Sequence, residues 1–114
     1  MDMPDWVSTF PGAVTLSDTE HRILWMNDKA AATFASQGGR SLVGKSLLAC
    51  HNERSRGMIE DLLRTGSPNV YTIEKKGVKK LIYQTAWKDE AGETRGLVEL
   101  SLEIPFDIPN FIRG

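Results

Sequence analysis

Residues 70–104 read VYTIEKKGVKKLIYQTAWKDEAGETRGLVELSLEI, and this stretch decides the fold. Apolar, β-branched and aromatic residues recur at alternate positions, and the run is interrupted at KKG (75–77) and KDEAGE (88–93) by the glycine and charged residues of tight antiparallel connections. Three strands are therefore predicted, at 70–75, 78–87 and 94–104. In the last, Val98, Leu100, Leu102 and Ile104 share one face and Glu99, Ser101 and Glu103 the other, so the first face is expected to be buried and the second wet. In the middle strand Leu81 and Tyr83 lie on one alternation and Ile82 and Ala86 on the other, and the pattern leaves its inward face open.

Working outward, ERSRGMIEDLLRT (53–65) changes the period from two to that of a helix. Met58, Ile59, Leu62 and Leu63 form an apolar stripe, and Glu53, Arg54, Arg56, Glu60, Asp61 and Arg64 form an outer side. Asn52 suits the N-cap of a helix from about Glu53 to Arg64, Gly66 can close it, and Pro68 prevents its continuation. The stripe is expected to meet Leu81, Tyr83, Val98 and Leu100. Before it, residues 40–52 show no sustained period and are read as short helical turns. Further upstream AVTLS (13–17) and RILWM (22–26) read as a hairpin connected by polar residues, Asn27 as an N-cap, and DKAAATFASQ as a helix of about nine residues stopped by Gly38 and Gly39. The order is an α+β pattern, an antiparallel sheet covered on one side by helices.

A chain of 114 residues holds one domain with one core, and its composition is that of a globular protein. Fourteen Lys and Arg against 15 Asp and Glu leave no field to hold a polyanion or an anionic membrane, so neither nucleic acid nor membrane is expected as a partner. The single cysteine forms no internal disulfide, MDMPDWVSTF lacks the charged and apolar regions of an export signal, and no apolar run approaches a bilayer span. A cytoplasmic location is expected, and Met1 favours a complete chain over an excised domain.

Asp18, Asn27, Gly44, Thr65-Gly66 and DEAGETRG, set within PGAVTLSDTEHRILWMNDKAAATF, LVGKSLLACH and GMIEDLLRTGSPNVYTIEKKGVKKLIYQTAWKDEAGETRGLVELSLEI, together resemble a PAS domain, the small sensory module. The resemblance covers residues 11–104, leaving residues 1–10 as an N-terminal cap segment and 105–114 as a C-terminal tail. The Cys50-His51 pair further resembles a subset of PAS modules in bacterial and archaeal proteins. The resemblance implies a five-stranded antiparallel sheet with the first two strands beside the last and helices over its concave face. It also implies a pocket between sheet and long helix, and a sensory or regulatory role, without catalysis, exerted through protein partners.

Candidate chemistry then narrows. Cys50 and His51 are adjacent, and on an extended segment they point to opposite sides, poorly placed as nucleophile and base. One Cys and one His fall short of a structural zinc site, so no metal is expected. The resemblance raises a second reading, a haem-binding redox or gas sensor with His51 as axial ligand, although haem-binding PAS domains generally carry that histidine within the long helix. His21 falls in the hairpin turn, and LACHNERS lacks the reactive run of the light-sensing branch. The structural reading makes Cys50 a small core residue and His51 the entrance to the helix. Asp18, Glu74 and Asp89 fall at turns or strand ends, where solvated carboxylates are the rule. A small apolar ligand would be lined by Asn27, Met58, Ile59, Leu62, Tyr83, Thr85 and Leu100, with Gln84 a further polar candidate. Trp6, Val7 and Phe10, with Phe106, Ile108, Phe111 and Ile112, lie outside the repeating elements and need burial, either folded back on their own domain or over a neighbouring subunit's sheet, and a homodimer is the favoured expectation. Pro105 and Pro109 interrupt any helix leading onward to an effector.

Overall fold

In the computed structural model, which describes residues 1–50 and 53–114 and only the backbone of Ala49 and Cys50, the KKG turn forms as its residues require. Lys76 and Gly77 both have positive φ, 52° and 77°, as in the two-residue connections whose twist matches that of the joined strands. They link β3 (Asn69–Lys75) to β4 (Val78–Lys88). β5 (Thr94–Ile104) returns along β4 after a turn organised by Asp89. Its Oδ1 accepts the N–H groups of Ala91 and Glu93, and its Oδ2 accepts Arg95 Nε at 2.8 Å. β1 (Ala13–Asp18) and β2 (Ile23–Met26) form the second hairpin, and β1 pairs antiparallel with β5. The described residues thus form one five-stranded sheet, ordered β2-β1-β5-β4-β3.

Gly96 permits the central pairing. At its φ of 156° a Cβ would collide with the Ser17 carbonyl oxygen, so only glycine lets β1 and β5 approach this closely. Trp87 Nε1 donates to the same carbonyl at 3.0 Å.

One face of the sheet is covered by α2 (Asp28–Thr33), 3-10 turns at Ala35–Gln37, Gly39–Leu42 and Leu47–Cys50, and α3 (Glu53–Thr65). α2 is shorter than the expected nine residues: Phe34 leaves the helical region (φ −100°, ψ 23°) and packs against the core, while the Gly39 N–H caps its carbonyl at 2.9 Å. α3 ends as expected, with the Gly66 N–H on the Leu62 carbonyl at 2.7 Å. Ile59 and Leu62 are buried with Ala13, Ile23, Met26, Ala30 and Leu97 in the core.

The expected inward face of β5 is reversed. Leu97 is 1% exposed and packs with Ala86 against the helices, whereas Val98, Leu100, Leu102 and Ile104 lie on the opposite alternation and face outward. α3 therefore meets Leu97 and Ala86 rather than Leu81, Tyr83, Val98 and Leu100, and on β4 the inward residues are Ile82, Gln84 and Ala86. The apolar outer face has a cover of its own. The N-terminal segment, including α1 (Asp5–Ser8), lays Met3, Pro4, Trp6, Val7 and Phe10 beside Val14, Leu16, Trp25, Val98 and Leu100, around a hollow of about 420 Å³. His51, Asn52 and the Cys50 side chain lie outside the described residues, as do the expectations placed on them.

Candidate functional site

A single line of paired residues crosses all five strands: Met26, Thr15, Glu99, Gln84 and Asn69. Pairing puts the five on one face, the concave face beneath the helices. Asn69 Nδ2 donates to Gln84 Oε1 at 2.9 Å, and Gln84 Nε2 donates to Glu99 Oε2 at 2.7 Å. The carboxylate fixes the sense of this chain, because Glu99 can only accept and so turns the Gln84 amide nitrogen toward itself.

Two recesses flank the line. Thr15, Ile23, Met26, Phe34, Gln37, Leu42, Leu47 and Glu99 enclose a cavity of about 140 Å³, with apolar walls and Glu99 and Gln37 as its larger polar groups. Its sides come from β1, β2 and β5, and its roof from the residues around the 3-10 turns. On the far side of Glu99, Arg54, Ser55, Met58, Asn69, Tyr71 and Gln84 border a more polar hollow of about 410 Å³ between α3 and the β3 edge. Burial first, and then the charge of Glu99, push the Tyr71 hydroxyl above its ordinary pKa, so the carboxylate is felt along the floor.

The sequence-expected pocket residues divide among three places. Ile59 and Leu62 are core residues beneath α3, while Met58, 37% exposed, stands at the rim of the polar hollow. Tyr83, Thr85 and Leu100 are on the outer face, paired with Val70, Val98 and Val14, away from the cavity. Asn27 is 1% exposed and fully engaged. Its Oδ1 accepts the N–H groups of Val14 (3.0 Å) and Ala30 (2.9 Å), and its Nδ2 donates to the carbonyls of Val7 (3.1 Å), Gly12 (2.8 Å) and Phe10 (3.4 Å). No donor or acceptor remains for a ligand. Gln84 does belong to the concave line. Glu99, Thr15, Met26, Asn69, Tyr71 and Gln37 escaped the sequence reading. Register is the relevant signal, but a simple count back from the β4–β5 turn sets Gln84 opposite Val98, and only the register shift between Trp87 and Lys88 brings it opposite Glu99.

Among the described residues no group of three or more His, Cys, Asp or Glu is placed to hold a metal ion, and no helix is long and apolar enough to cross a membrane.

No family model matches the sequence, and no curated protein does. Solved structures do resemble the fold. The chain is similar to the Aer2 receptor from Vibrio cholerae, a dual PAS-heme oxygen sensor, at TM-score 0.64 and 18% identity over 82% of this chain and 95% of that one. It is similar to the PAS domain of histidine kinase ThkA at TM-score 0.65 and 17% identity, over 80% and 97% of the two chains. A third similarity is to VqmA of Vibrio cholerae in complex with ligand and DNA, at TM-score 0.69 and 15% identity over 86% of this chain. There the match spans about half of the other protein, 48% of its chain. At these identities the likeness concerns architecture, and the strand order, the helices over the concave face and these neighbours agree: the chain has the PAS fold.

Proposed function

We propose that this chain is a sensory or regulatory module that binds a small ligand in the concave-face cavity and acts through contact with other protein surfaces, without catalysing a reaction. The observation that carries the reading is the cavity of about 140 Å³ between sheet and turns, apolar in its walls and furnished with a carboxylate and an amide. Ligand sites generally combine such walls with a few oriented polar groups. The neighbours support it: VqmA has been solved bound to the ligand DPO, and the Aer2 receptor is a heme oxygen sensor. The second reading, haem on His51, draws on the Aer2 neighbour alone. His51 lies outside the described residues, and the 140 Å³ cavity is smaller than the roughly 300–1,000 Å³ of sites for drug-sized ligands.

The module is proposed to span residues 11–104, to work as a homodimer and to reside in the cytoplasm. Native mass spectrometry of protein purified from its own host tests the central reading, with a small non-covalent adduct on the folded chain as the expected result. Apo mass alone, together with no saturable binding across a library of small metabolites, would overturn it.

A further inference from the structure

The chemistry of the cavity narrows its ligand, on the reading just proposed. Glu99 reaches a mostly apolar space, and its one hydrogen bond among the described residues comes from the neutral Gln84 amide. The cations in the described ion pairs are used elsewhere: Lys29 with Glu103, Arg40 with Asp28, Arg64 with Asp61 and Arg95 with Asp89. A carboxylate on the wall of a mostly apolar space, held there by a neutral donor, keeps acceptor capacity, and this favours an N–H-bearing cation.

Size sets the other limit. A dry cavity of about 150 Å³ is known to hold benzene, and the space here is about 140 Å³. Met26, Ile23, Leu42, Leu47 and Phe34 supply apolar walls for such a body, while Gln37 stands at the edge with a further amide. We propose that the cavity takes a small organic cation, a primary ammonium or protonated nitrogen heterocycle on an apolar body of about six heavy atoms, whose N–H groups bond the Glu99 carboxylate.

Benzylamine and its neutral isostere benzyl alcohol are the probes, titrated at neutral pH into the intact protein while the amide resonances of Thr15, Met26 and Glu99 are followed. Benzylamine is expected to bind at least about tenfold more tightly than benzyl alcohol, and Glu99→Gln to remove that preference while the dispersed spectrum reports an intact fold. Equal affinities in the native protein overturn the cation inference and leave the cavity reading standing. The same holds if Glu99→Gln leaves the preference unchanged. If neither probe causes a saturable shift at those three amides up to millimolar concentration, the cation inference falls, and the cavity reading is decided by the metabolite library and native mass. The ranking of the two probes on the native chain decides the matter even if the variant does not fold.

Discussion

At the scale of single residues, Asn27 does more than cap a helix. Its two acceptor positions hold β1 and the first turn of α2, and its amide nitrogen holds the chain leading from α1 into the sheet. An N-cap role was legible from its place before Asp28, because short polar side chains satisfy free N–H groups at helix starts. The contacts to Val7 and Gly12 were not, since they span 20 and 15 residues and depend on where the N-terminal segment lands. Asn27→Asp keeps both acceptors but sets an oxygen against the carbonyls of Val7 and Gly12. With buried donors lost and a charge added, the variant should be less stable by about 2–4 kcal/mol. Urea denaturation checks this, and a loss below about 0.5 kcal/mol, the ordinary range for surface changes, would refute the hub role. Glu99 marks the opposite case. Alternation assigned it to a wet face, and only the pairing with Gln84 and Thr15 shows it lining a cavity.

At the scale of elements, periodicity located the strands and α3 well, because backbone pairing and an amphipathic stripe both leave a repeating trace. β5 occupies Thr94–Ile104, and α3 runs from Glu53 to Thr65. What alternation cannot say is which face of a sheet receives the helices. β5 has a more continuously apolar outer face because α1 and its flanks cover it, while the helix-covered face carries the polar line. Packing of α3 is tested by Leu62→Ala, which should cost about 2–4 kcal/mol, while Met58→Ala at the rim should cost less than about 1 kcal/mol. Comparable losses at both sites in denaturant melts would contradict the orientation of α3. The β4–β5 turn offers a pH test. The Glu93 N–H, Arg95 and the Ala91 N–H hold the Asp89 carboxyl below the ordinary aspartate range. A carboxyl with a lowered folded pKa stabilises the turn above its unfolded value, and that contribution is lost as pH falls through the lower folded value. Carbon-13 titration should therefore give Asp89 a midpoint below about 3.9, with the Ala91 and Glu93 amides following it. A midpoint at or above that value would contradict the turn geometry.

At the scale of the whole molecule, the apolar surface is distributed unevenly. α1 tucks Val7 against the outer sheet face but leaves Trp6 69% exposed, edge-on to Phe10 at 6.5 Å between ring centroids. Beyond β5 the tail exposes Phe106, Ile108, Phe111 and Ile112, the last at 96%. The outer hollow of about 420 Å³ lies among the residues that α1 brings to this face. The proposed homodimer would bury part of this aromatic and aliphatic area, through a self-complementary contact across a two-fold axis. A stable dimer requires about 1,200 Å² or more of total buried surface, which exposed aromatics at both termini can help provide. Deleting residues 1–10 would remove part of this surface but also the Val7 and Phe10 carbonyls bound by Asn27, confounding assembly with folding. Trp6→Glu separates the two, because the side chain is largely outside the fold. Sedimentation should find the intact chain dimeric at micromolar concentration and the variant monomeric, with thermal stability shifting only as far as loss of the partner requires. An intact chain that sediments as a monomer at high micromolar concentration would overturn the dimer, and a variant that remains dimeric would move the interface away from α1.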